Sequence, residues 1–200
     1  MIKKGEWLLI LFNLAYITGF TIYYISIKNF EFLWYISIMV FFFLVITLTL
    51  KKTKFTYPVL WMLTAWGVMH MAGGGIKINN EVLYALKLIP IWVTENFYVL
   101  KYDQFVHAYL YFVMIFVIWD LLKNNLNKKI NKIIIYPAIA LISIGIGALN
   151  EVAEFSAVLF FSSTGVGDYF NNSWDIVFNS LGAILGVIVL NFRIKKKQIR

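Results

Sequence analysis

The chain has 200 residues, of which 61% are hydrophobic and 14% charged, with a formal net charge of +8 and no cysteine. A soluble domain is about half apolar and about a quarter charged, so the composition excludes an ordinary water-soluble globule and points to a bilayer. The lack of cysteine excludes disulfides, thiolate metal sites, cysteine-ligated iron–sulfur clusters and a cysteine nucleophile.

About 20 apolar residues span roughly 30 Å of hydrocarbon. Runs of this kind predict spans at 7–27, 32–50, 55–72, 104–122, 133–161 and 174–192. The fold class is therefore an all-α membrane protein, a six-transmembrane-helix bundle forming one domain over residues 1–200. The runs lack the short alternation of barrel strands. The first run follows Lys3 and Lys4, as a signal peptide would. No small-residue cleavage site follows it, and Tyr23 and Tyr24 lie near its end, so it reads as a membrane helix. The loop between the third and fourth runs opens with Gly73-Gly74-Gly75 and contains LYALKLIPIWV, 83–93. That piece is apolar, too short to span and broken by Pro90, which predicts an interfacial or re-entrant segment. The fifth run would reach about 43 Å as a helix at about 1.5 Å per residue, so it must tilt, kink or project from the membrane. GVGDYFNNS, 165–173, joins it to the last run.

Basic residues cluster at every second connection. Lys3 and Lys4 precede the first span; Lys51, Lys52 and Lys54 follow the second; Lys123, Lys128, Lys129 and Lys132 follow the fourth; Arg193, Lys195, Lys196, Lys197 and Arg200 follow the sixth. The positive-inside rule then places both termini in the cytoplasm, and an even number of spans requires the same side for both. The basic face suits anionic lipid headgroups rather than nucleic acid. Lysine in preference to arginine, with abundant isoleucine and asparagine, hints at an AT-rich prokaryotic genome, and the expected location is a bacterial or archaeal cell membrane.

With that topology the ionisable and amide residues of the apolar runs converge on the outer half of the bundle. His70 lies near the outer end of span three; Asp103 and His107 sit one turn apart at the start of span four. Asn150, Glu151 and Glu154 lie in the outer half of span five; Asn171, Asp175 and Asn179 form one stripe entering span six, preceded by Asp168 in the loop. A carboxylate at the bilayer centre costs roughly 2.5–3.5 kcal/mol on an insertion scale and so calls for a partner or a cavity. If span five ends near Asn150, its glutamates face an unfavourable helix dipole; if it runs to Phe161, they are mid-helix. The candidate catalytic set is Glu151, Glu154, His107, Asp103 and Asp175. The candidate ligands for a divalent metal, Zn, Mn or Mg, are Glu151, Glu154, His107, His70 and Asp175, and Asn150, Asp168, Asn171 and Asn179 line the pocket.

Plainer readings stand beside these. Asp103 and Asp175 suit helix starts. His70 suits the membrane interface, Asn179 suits interhelical hydrogen bonding, and Asp168 and Asn171 suit a loop. Lys101 suits snorkelling. Gly182-x-x-x-Gly186 has the small-residue spacing of close helix contact, and Gly145 and Gly147 suit close contact or a bend. One internal echo stands out: YDQFVH (102–107) and WDIVFN (174–179) share an aromatic-Asp-x-x-x-His/Asn pattern.

The succession MHMAGGG (69–75), YDQFVHAY (102–109), LNEVAEF (149–155) and GDYFNNSWDIVFNSLGA (167–183) resembles the YjdF-like bacterial inner-membrane proteins. More distantly it resembles VanZ-type proteins, with their Asp-x-x-x-His and Asp-x-x-x-Asn-x-x-Gly helix starts. The likeness covers roughly residues 55–190 and would mark His70, Asp103, His107, Asn150, Glu151, Glu154, Asp168, Asp175 and Asn179. It implies a polytopic bacterial membrane protein; the VanZ likeness adds glycopeptide resistance or an envelope role. The chain departs from the YjdF-like pattern where Gln104 follows Asp103 in place of a basic residue.

Three functions fit. The first is an envelope enzyme acting on a lipid or lipid-linked substrate, for example by metal-assisted phosphoester hydrolysis. The second is a non-enzymatic lipid or cation binder or a transporter. The third is a structural role in which the cluster fixes helix register. Membrane lipids are the expected partners.

Overall fold

A computed structural model describes residues 4–95, 97–123, 126, 131–161 and 164–198. Of the basic residues named above, Lys3, Lys128, Lys129 and Arg200 lie outside the described residues, as do the side chains of Lys4, Lys195, Lys196 and Lys197. The helices are α1 (Lys4–Ser26), α2 (Phe30–Thr53), α3 (Tyr57–Gly75), α4 (Tyr102–Leu122), α5 (Lys132–Phe160) and α6 (Tyr169–Gln198).

All but α3 are long and apolar enough to cross a membrane. The sequence predicts a span at 55–72 as well. Thr64, Gly67, His70 and the terminal glycines dilute the hydrophobicity of α3, and the buried face of the helix carries Thr64, Gly67 and all three terminal glycines. The outer helices instead expose large apolar side chains, such as Phe41, Phe42 and Leu48 on α2 and Ile133, Ile134 and Leu141 on α5. Water does not tolerate apolar surface on this scale; lipid does.

Local sequence sets the helix limits. Asn29 caps α2 by accepting the Phe32 N–H at 3.0 Å, and Lys51 and Lys52 occupy its last turn, where the dipole favours cations. Asn131 caps α5 by accepting the Ile133 N–H at 2.9 Å. Pro137 is inside α5, but the helix continues unbroken to Phe160. Glu151 and Glu154 are therefore mid-helix, the second of the two placements the sequence leaves open.

The all-α expectation needs correction in the loop between α3 and α4. Strands β1 (Lys77–Ile78) and β2 (Glu81–Val82) form one antiparallel hairpin, and β3 (Lys87–Val93) and β4 (Tyr98–Lys101) form another. Asn79 and Asn80 both have positive φ, 51° and 67°, the backbone of a two-residue type I′ turn, which asparagine tolerates. LYALKLIPIWV is thus a 3-10 turn, Leu83–Ala85, followed by an exposed strand. Pro90 falls where the β3–β4 register is irregular, as the loss of a ladder N–H requires.

Two cores hold the helices. Val113, Ile115, Phe116 and Ile118 of α4 pack with Val59, Ile139, Ala183 and Leu190. Ile17, Tyr24, Phe32, Tyr35, Ile36 and Met71 join α1, α2 and α3. Lipid is as apolar as these side chains, so close packing rather than water exclusion favours association. Glycine permits it: a Cβ on Gly182 would lie 2.0 Å from the Ala108 carbonyl oxygen, and one on Gly186 would lie 2.9 Å from that of Phe112. The matching advance, 108 to 112 against 182 to 186, makes α4 and α6 parallel. A Cβ on Gly147 would meet the Asn179 amide at 2.9 Å, whereas Gly145 faces open space.

Candidate functional site

The site is built where α4 and α6 begin. Because they run parallel, the echoed motifs fall side by side. Asp103 occupies the first turn of α4, and His107 follows one turn later, its Nε2 3.6 Å from Asp103 Oδ1. On α6, the Asn171 amide nitrogen lies 3.1 Å from Asp103 Oδ2 and 2.9 Å from Asp175 Oδ2, joining the two carboxylates. His107 Nδ1 meets Asn179 Oδ1 at 3.0 Å. Asp175 and Asn179 are 1% and 0% exposed.

Helix α5 supplies the other side. Glu151 Oε1 lies 3.7 Å from His107 Nδ1, and Glu154 Oε1 lies 3.8 Å from Nε2. Amides orient both: Asn172 donates to Glu151 Oε2 at 2.6 Å, Asn179 donates to Glu151 Oε1 at 3.5 Å, and Asn150 donates to Glu154 Oε1 at 2.8 Å. Asn179 spends its NH2 on Glu151, so its oxygen accepts from His107. That fixes the Nδ1–H tautomer and leaves the Nε2 lone pair facing the gap between Asp103 and Glu154.

Charge is poorly balanced. Among the described residues, no lysine or arginine forms an ion pair with Asp103, Glu151, Glu154 or Asp175. Lys101 approaches only through Asn171, its Nζ 3.5 Å from Asn171 Oδ1. Asp175 Oδ1 is buried and has no hydrogen-bond partner among the described residues. Asp103, His107 and Asp175 place one ligand atom each within 4.8 Å of one another, and so do His107, Glu151 and Glu154. An imidazole nitrogen with several carboxylate oxygens suits Zn, Mn or Mg.

His70 and Asp168 make other contacts. His70 is outside both ligand groups: it stacks on Trp66 at 5.2 Å and its Nδ1 hydrogen-bonds the Tyr84 hydroxyl. Asp168 accepts the Asn171 backbone N–H at 2.9 Å and caps the start of α6. A cavity of about 820 Å³ opens beside the cluster, lined by Asp103, His107 and Glu154 together with His70, Tyr84, Tyr35 and Glu31.

Three participants escape the sequence. Asn172 lies one residue from the stripe on α6. Glu31 looks like a loop charge beside Lys28, yet it is buried and accepts the Gly165 N–H at 2.8 Å. Tyr84 sits in the segment read as interfacial; burial, then the negative fields of Asp103 and Glu154, push its phenol well above the ordinary value, so it remains a proton donor.

Residues 8–196 match the family described as "Predicted membrane protein (DUF2238)", and the chain belongs to that family. No curated protein and no solved structure matches it.

Proposed function

We propose that this protein is an envelope enzyme that binds a divalent metal at His107 and its carboxylates and hydrolyses a phosphoester of a lipid or lipid-linked substrate. The observation that carries the reading is the ring of Asp103, Glu151, Glu154 and Asp175 around His107, beside a cavity large enough for a headgroup. His107 would offer Nε2 and the carboxylates oxygens to the ion, which would supply an activated water at neutral pH. Glu154 lines the cavity and is held by Asn150; it takes the proton as the water oxygen attacks phosphorus. The bond from phosphorus to the lipid oxygen breaks, and the Tyr84 hydroxyl supplies the proton to the leaving alcohol.

The pocket opens outward and both termini are cytoplasmic, with α3 as a sixth crossing and the 83–93 segment at the outer interface. Support comes from Lys51, Lys52, Lys54 and Lys123, which gather at the end of the bundle away from the cluster. The likeness of the motifs to YjdF-like and VanZ-type proteins favours a bacterial envelope role, including antibiotic resistance.

Elemental mass spectrometry of detergent-purified protein tests the metal. Stoichiometric metal, reduced in a folded Glu151→Gln/Glu154→Gln variant, is expected and directs a screen of lipid phosphoesters. Failure to bind Zn, Mn or Mg overturns the hydrolytic reading and leaves a headgroup-binding pocket as the alternative.

A further inference from the structure

We infer two cation sites rather than one: a first ion held by His107 with Asp103 and Asp175, and a second held by Glu151 and Glu154. This inference rests on the metal-binding reading above and adds a stoichiometry and an ion class to it.

Three observations carry it. First, two ligand groups share His107 and no other residue: Asp103 and Asp175 in one, Glu151 and Glu154 in the other. Asp103 and Glu154 flank Nε2 at 3.6 and 3.8 Å, and Glu151 approaches Nδ1 at 3.7 Å. Second, the charges do not close with a single ion. Four carboxylates gather in a largely buried site, and a buried charge must be paired or coordinate metal. One divalent ion would leave two negative charges, with Lys101 as the nearby cation behind Asn171; two divalent ions neutralise all four. Third, the carboxylates are held by neutral groups rather than by cations. The carboxylates are oriented by neutral amides of Asn150, Asn171, Asn172 and Asn179, as outer-shell groups orient metal ligands. Asp175 Oδ1, on a residue only 1% exposed, has no hydrogen-bond partner among the described residues.

The tautomer assigns the ion class. Asn179 occupies Nδ1, so the imidazole has a single lone pair to give, at Nε2, and the first ion takes it. The second ion has carboxylate oxygens and solvent. Mg²⁺ and Mn²⁺ accept such a shell, often with substrate phosphate completing it. Paired ions of this kind stabilise both the attacking and the leaving oxygen of a phosphoryl displacement.

The test is a Mn²⁺ titration of chelator-stripped protein in detergent, read by bound metal per chain and by electron paramagnetic resonance. Two equivalents with a spin-coupled signal are expected for the unsubstituted protein. Asp175→Asn and Glu151→Gln/Glu154→Gln should each keep one equivalent and lose the coupling. One uncoupled equivalent in the unsubstituted protein would overturn the two-ion inference while leaving a metal enzyme standing, whether or not the variants fold. No bound Mn²⁺, Zn²⁺ or Mg²⁺ would remove both readings.

Discussion

Two ends of the same bundle bury acid in opposite ways. At the end away from the cluster, Asp120 of α4 is 4% exposed. Its Oδ2 accepts the Thr56 N–H at 2.8 Å and the Thr56 hydroxyl at 3.0 Å, and its Oδ1 meets Lys123 Nζ at 2.6 Å. Every part of that carboxylate is answered, and in answering it caps α3 from a neighbouring helix, because Thr56 makes no side-chain cap of its own. At the other end, four carboxylates share one histidine and four asparagines, and Asp175 Oδ1 is left over. The contrast separates an acid that serves the fold from acids that the fold tolerates for another purpose.

Substitution separates the two kinds of acid. Asp120→Ala strands the α3 cap and Lys123 together, and should lower stability by about 2–4 kcal/mol with metal content unchanged; thermal unfolding in detergent and elemental analysis read the two. Glu151→Gln/Glu154→Gln should act in the reverse sense. Relief of like-charge repulsion should stabilise the metal-free protein by about 2 kcal/mol, while metal binding falls. If that variant unfolds as readily as Asp120→Ala, the glutamates are structural acids and the contrast collapses.

Smaller effects are expected at the groups around the carboxylates. Asn179→Leu removes the acceptor that fixes the His107 tautomer and the donor to Glu151. Metal affinity should drop about 10–100-fold, as for outer-shell partners elsewhere, with the helices intact by circular dichroism. Tyr84→Phe removes the hydroxyl from His70 and should cost about 1 kcal/mol of stability. Its effect on hydrolysis of a lipid phosphoester should exceed that, since the phenol is the assigned proton donor; equal, small effects on both would reduce Tyr84 to a packing residue.

Much of the helical frame and the heart of the cluster were legible in the sequence, for one physical reason. Charge in an apolar run is expensive, so Asp103, His107, Glu151, Glu154 and Asp175 stand out against their surroundings and helical spacing puts them on shared faces. The echo between 102–107 and 174–179 was legible too, though only the parallel seam of α4 and α6 gives it meaning. What escaped depends on contacts distant in sequence. Glu31 reaches Gly165, Tyr84 reaches His70, and Asp120 reaches Thr56; none carries a local mark of its partner. Asp168 reads as pocket from its polar loop; it caps α6 and lines a smaller cavity with Lys101 and Asn171, a double duty that its sequence position does not show. The first hairpin did leave a local mark, the Asn79-Asn80 pair, which the apolar character of the following segment overshadowed. The shortfall of α3 as a span comes from glycines whose need appears only with the neighbouring rings: a Cβ on Gly74 would fall 1.8 Å from the Phe32 ring.

The glycine seam between α4 and α6 has a mechanical consequence. Where Gly182 meets the Ala108 carbonyl, two backbones touch with no side chain between them to bend or change rotamer. Such a contact works as a dowel. One turn of helix rises about 5.4 Å, so any side chain forced into the seam would lift α6 away or slide it by a fraction of a turn. Asp175 would leave Asp103, and Asn179 would leave His107, in a single movement. The alignment of the acidic cluster is thus machined from below, by residues with no chemistry of their own.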